Sequence, residues 1–138
     1  MRSMKMFTRY WLPVCVLCAA IFIQSSFAVP DVGIDPLLWG WLPVDKLAHG
    51  IIYAALSALV CRAVFNAWRP RVWQKLPLAA IGITAAVVFG LSDEWHQSFV
   101  AARSADALDL AADAVGAIVG ALLYLHFVFG IGNLNRPS

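Results

Sequence analysis

Apolar residues fill four long stretches of the chain, and charged residues fall almost entirely between them. A bilayer core about 30 Å thick takes roughly 20 apolar helical residues to cross, so each stretch reads as one spanning helix. The first, residues 10–29, carries no charge between Arg9 and Asp31, and Pro13 falls in its first turn, where a missing N–H is tolerated. The second covers residues 46–68, with Arg62 close enough to one end to extend its guanidinium to the interface. The third opens at Pro77 and stays uncharged to Ser92; the fourth begins near Ala107 and is uncharged from Ala114 to Asn135. The pattern predicts an all-α integral membrane protein: four transmembrane helices in a small bundle, one domain over residues 1–138.

Charge placement gives that bundle a direction, because loops rich in Lys and Arg stay cytoplasmic. Arg2, Lys5, Arg9, Arg62, Arg69, Arg71, Lys75 and Arg136 fall on one side of the four-span arrangement, which makes both termini cytoplasmic. All eight acids, Asp31, Asp35, Asp45, Asp93, Glu94, Asp106, Asp109 and Asp113, map to the outer half. Tryptophan prefers the membrane interface; Trp11, Trp68 and Trp73 fall at the inner boundary and Trp39, Trp41 and Trp95 at the outer one. The charged start, apolar run and Ser26-Phe27-Ala28 also resemble a cleavable signal peptide. The run is longer than a usual signal core, and the expectation is that it stays as the first span.

Composition agrees with the runs. The 138 residues are 62% hydrophobic and 13% charged, with a mean hydropathy of +0.76, against about 25% charged in soluble domains. The basic residues flank apolar runs and form no stripe with stacking aromatics, which excludes a nucleic-acid surface. Cys15, Cys18 and Cys61 make no even framework for disulfides. Cys15 and Cys18 form a CxxC inside an apolar run, where the thiolate that redox chemistry needs is disfavoured.

The candidate chemistry lies at the outer face. Asp45 and His49, at i and i+4, share a face of the second helix, with Tyr53 one turn deeper. The third helix exits through Asp93, Glu94 and Gln97, a loop carries Arg103, and the fourth re-enters with Asp106, Asp109 and Asp113 in one stripe. Asp106 suits a helix cap, whereas a charge as deep as Asp113 costs roughly 2.5–3.5 kcal/mol and marks a site. Gly116 and Gly120 continue the stripe as a GxxxG, which presses the fourth helix against the second or third, or against a second copy in a homo-oligomer. Six acids, Asp45 among them, face only Lys46 and Arg103, a surplus of four negative charges. Relief can come from shared protons, from a divalent cation on oxygen ligands, or from a cationic ligand. His49 can join a metal shell or carry a proton; His96 and His126 read as interfacial residues.

Three motifs, DKLAH at residues 45–49, DEWHQSFVAAR at 93–103 and DLAADAVGAIVG at 109–120, resemble those of the VanZ-like family of small bacterial membrane proteins, named for a protein linked to teicoplanin resistance. The resemblance covers residues 44–120. The family pattern is Asp-Lys-x-x-His, then Asp-Glu-x-x-Gln leading to an Arg, then an Asp followed four residues later by Asn, with two glycines. This chain departs from it twice: Ala101-Ala102 stand where Pro-Gly is common, and Asp113 stands where Asn is usual, adding an acid. The resemblance implies a bacterial cytoplasmic membrane location and supplies no reaction.

Two function classes follow directly. One is a membrane enzyme acting on a lipid-linked or cell-envelope substrate, with Asp45, His49, Asp93, Glu94 and Arg103 as candidate catalytic groups and Lys46, Gln97, Asp109 and Asp113 as binding groups. The other is an envelope-modifying protein that binds without turnover. A proton-coupled transporter is a third class, short of helices for alternating access and without an inverted repeat. Pairing and capping alone would explain Asp106 and Arg103, but not six acids against two bases.

Overall fold

A computed structural model describes residues 2–27, 44–68, 74–100 and 107–130. Helix α1 (Arg2–Met6), a π-helical stretch (Phe7–Trp11) and α2 (Leu12–Ser25) follow one another, with helical dihedrals kept at the junctions Met6 and Leu12. Helix α3 spans Val44–Trp68, α4 Lys75–Gln97 and α5 Ala107–Leu125, which runs on into a π-helical turn at His126–Gly130. Four segments, Met4–Ser25, Lys46–Trp68, Lys75–Gln97 and Ala107–Gly130, are long and apolar enough to cross a membrane. Lipid offers no hydrogen bonds, so a spanning segment must satisfy its own backbone, and a helix does so within one run of chain.

The first span departs from the sequence expectation at both ends. It starts at Met4 rather than near Tyr10, within a helix that begins at Arg2, and stops at Ser25 rather than Val29. Its end carries hydroxyls: Ser26 Oγ donates to the Phe22 carbonyl at 2.7 Å, in the local manner that competes with helix continuation. Pro13 therefore lies inside the span instead of in its first turn. It has no N–H to return to the Arg9 carbonyl four residues earlier, and Arg62 Nη1, reaching across from α3, lies 3.5 Å from that oxygen.

Between helices already in lipid, apolar burial gives little drive, and close packing of small residues takes its place. The buried face of α4 repeats Leu78, Ala79, Gly82, Ala86 and Gly90, and that of α5 repeats Gly116, Ala117, Gly120 and Ala121. Helices α3 and α5 run parallel, and their backbones nearly touch. A Cβ on Gly116 would run into the Gly50 carbonyl, and one on Gly120 into that of Ala54. The GxxxG thus joins α5 to α3 within one chain. Tyr53, Leu56 and Val60 of α3, Ala86 of α4 and Ala117 of α5 form the core, against which Val14 and Ile21 of α2 pack.

This packing sorts charge to opposite ends. At one end Arg9 and Arg62 stand 5.7 and 5.1 Å from the Tyr10 ring, and Lys75 lies 5.1 Å from that of Phe129. At the other, Ser25 of α2 meets Asp93 of α4, and Lys46 of α3 meets Asp109 of α5. Trp39, Trp41 and Trp73 lie outside the described residues, as do Asp31, Asp35 and Asp106.

Candidate functional site

The last turns of α4 carry Asp93, Glu94 and Gln97, all buried. The i, i+4 spacing sets Gln97 over Asp93, and Gln97 Nε2 donates to Asp93 Oδ2 at 2.9 Å. The other oxygen, Oδ1, accepts from Ser25 Oγ at 2.6 Å, a charge-assisted contact that ties α2 to α4. Nearby, Ser26 Oγ and His96 Nε2 lie 3.1 Å apart and the His96 ring stacks on Phe22 with centroids 4.3 Å apart. His96, read from sequence as merely interfacial, clamps the end of the first span.

Across the bundle, α3 and α5 are joined by two polar pairs above their glycine seam. Lys46 Nζ donates to Asp109 Oδ1, and one turn deeper His49 Nδ1 lies 3.0 Å from Asp113 Oδ1. Asp113 is 1% exposed. Where Asp113 is ionised it can only accept, which puts the proton on Nδ1 and leaves Nε2 as the atom of His49 able to take another. Gly90 of α4 makes the room: a Cβ there would lie 3.0 Å from Asp113 Oδ2 and 3.2 Å from Tyr53 Cε1.

Between these pairs lies a cavity of about 290 Å³ whose polar lining includes Ser25, His49, Tyr53, Asp93, Gln97 and Asp109. Tyr53 is 1% exposed and its hydroxyl has no hydrogen-bond partner among the described residues. A buried hydroxyl left unmade costs about 1–3 kcal/mol, so the cavity has an unmet demand for a polar guest. Among the described residues no three His, Cys, Asp or Glu side chains gather as a ligand set for a metal. The arrangement provides acceptors for an N–H bearing or cationic group at Asp93 and Asp109, and a proton acceptor at His49.

With the geometry in place, the chain can be set beside known proteins. A family model described as VanZ/LLP1 matches residues 10–129. The chain belongs to the VanZ/LLP1 family. No curated protein and no solved structure matches it. The match to VanZ/LLP1 extends past residues 44–120 to take in most of the first span and all of α5, the two elements that supply Ser25 and Asp113.

Of the residues singled out in this VanZ/LLP1 chain, His49, Lys46, Asp93, Gln97, Asp109 and Asp113 come together around the cavity, and Glu94 is buried beside them on α4. Gly116 and Gly120 form the seam that holds them. Arg103 and the side chain of Asp45 lie outside the described residues. Ser25 was missed, although Gln24, Ser25 and Ser26 form a polar close to the first apolar run at the depth of the acids. A Ser25→Ala variant is expected to lose about 1.5–3 kcal/mol, the worth of a hydrogen bond to a charged group. Thermal melting of the detergent-purified protein measures this, and an unchanged Tm would mean that α2 is not held through Asp93.

Proposed function

We propose that this VanZ/LLP1 protein is a multi-pass protein of the bacterial cytoplasmic membrane, with both termini cytoplasmic, whose outward cavity takes up the polar headgroup of a lipid or lipid-linked envelope component. The observation that carries this is the cavity of about 290 Å³, set in the ends of spanning helices and lined by side chains from four of them, Ser25, His49, Asp93 and Asp109 among them. Ionisable groups at such depth are costly and mark function by default. In this reading Asp93 and Asp109 accept from the headgroup, and Lys46 and Arg103 orient its anionic part. His49 accepts a proton where turnover occurs, with Asp113 holding its ring. Gln97 adds to the polar lining, and Glu94 is buried beside it on α4.

Retention of endogenous lipid tests the reading. Native mass spectrometry of the purified chain is expected to show a co-purifying envelope lipid that Asp93→Asn loses while keeping its size-exclusion profile, and that His49→Gln keeps. A folded Asp93→Asn protein that retains the same lipid would sink the proposal. The orientation has its own check, using two exposed residues at opposite ends, Phe99 and Leu76. In intact cells an impermeant maleimide is expected to label Phe99→Cys, and to reach Leu76→Cys only after lysis; the reverse order would invert the topology.

A further inference from the structure

A groove of about 520 Å³ runs along the outer side of the α3–α5 seam, opposite the polar cavity. Its walls are Leu47 and Ile51 of α3 and Val115 and Val119 of α5, and Gly50 and Gly116 open its floor. It is apolar along its length except at one end, where Lys46 lines it. Both helices are long and apolar enough to cross a membrane, and in a bilayer a furrow with these apolar walls is suited to an acyl chain. Lys46 donates to Asp109, and Asp109 lines the polar cavity. That ion pair is therefore a shared wall, with the groove on the lysine side and the cavity on the carboxylate side.

We infer that the bound molecule is a zwitterionic aminophospholipid, one acyl chain in this groove and its headgroup laid across the Lys46–Asp109 pair, the primary amine in the cavity. The inference rests on the headgroup reading above and names its ligand. Charge complementarity selects the class. A purely anionic headgroup would meet Lys46 but then face Asp109 and Asp93. A purely cationic one would suit those acids and leave Lys46 without a phosphate. A phosphate followed by an ammonium matches both signs in the order in which they occur. The amine must also be an N–H donor: after accepting from Ser25 and Gln97, each Asp93 oxygen keeps a further lone pair, and the buried Tyr53 hydroxyl has no partner among the described residues. A trimethylated amine has no N–H to give either of them.

The test is photocrosslinking of the full chain in phosphatidylcholine nanodiscs. Trace phosphatidylethanolamine, phosphatidylglycerol or phosphatidylcholine carries a diazirine in its acyl chain, and the labelled residues are read by mass spectrometry. The ethanolamine probe is expected to label Ile51, Val115 and Val119 about tenfold more than the exposed Ile23 and Leu91 on other helices, the ratio that one charge-assisted hydrogen bond supplies. The other two probes should label all five alike. Ala111→Phe, at an exposed residue on the groove wall, should abolish the groove excess. Uniform labelling by all three probes, or an excess with phosphatidylglycerol, overturns the inference. It leaves the cavity reading standing, because retention of a different headgroup would still respond to Asp93→Asn.

Discussion

Gly116→Leu is expected to yield no folded protein, and Gly116→Ala a badly destabilised one. The reason lies in what an added side chain would meet. A single methyl at residue 116 runs into the backbone of Gly50, and at residue 120 into that of Ala54. Flexible side chains can move aside; a carbonyl inside a helix can move only if the whole helix moves. Overpacking a core costs typically about 1–3 kcal/mol, and more where nothing yields, against a total stability of about 5–15 kcal/mol for an ordinary protein. Separating α3 from α5 would also pull Lys46 from Asp109 and His49 from Asp113, so the loss spreads to the polar pairs. Gly50→Ala supplies the control, because a Cβ there meets only the Ala112 carbonyl, at an ordinary 3.6 Å. Monodisperse yield and Tm in detergent measure all three variants. A Gly116→Leu protein that melts with the wild type would show that α3 and α5 do not meet on this face.

The same seam explains how much could be read from the sequence. Spacing within one helix was legible: Asp93 and Gln97, four residues apart, are hydrogen-bonded, and Asp109, Asp113, Gly116 and Gly120 share the face of α5 turned toward α3. Pairing between helices was not. Nothing in the order of residues couples His49 to Asp113 or Lys46 to Asp109, because those contacts follow from the rotation and register at which the two backbones lock. Ser25 escaped notice for a related reason. Its importance comes from an acid 68 residues later, whereas its local context is only the polar end of an apolar run. The Asp31 and Asp35 segment and the Arg103 loop lie outside the described residues, and the four-span reading of the charges treats them by side of the membrane alone.

On the polar side a coupled effect is expected at His49. Its partner Asp113 is 1% exposed, while the imidazole itself is 23% exposed, so removing the ring strands a carboxylate that water reaches only through the space the ring leaves. His49→Ala is expected to cost about 1–3 kcal/mol, the penalty of an unsatisfied buried polar group. Asp113→Asn behaves differently. The amide keeps an oxygen to accept from His49 Nδ1 and removes a charge whose burial is itself unfavourable, so stability should stay level or rise. In the Asn background, His49→Ala should then cost less than in the wild type, because what it strands is neutral. A double-mutant cycle of Tm or denaturant midpoints reads this coupling; additive effects would show that the two side chains do not interact. Function should part from stability in Asp113→Asn: the cavity still holds its lipid, but without the carboxylate the imidazole loses the charge that steadies it once protonated. A well-folded, lipid-retaining Asp113→Asn protein that has lost turnover is the result expected of an enzyme. In a protein that only binds, the same substitution should leave lipid retention unchanged and have no turnover to lose.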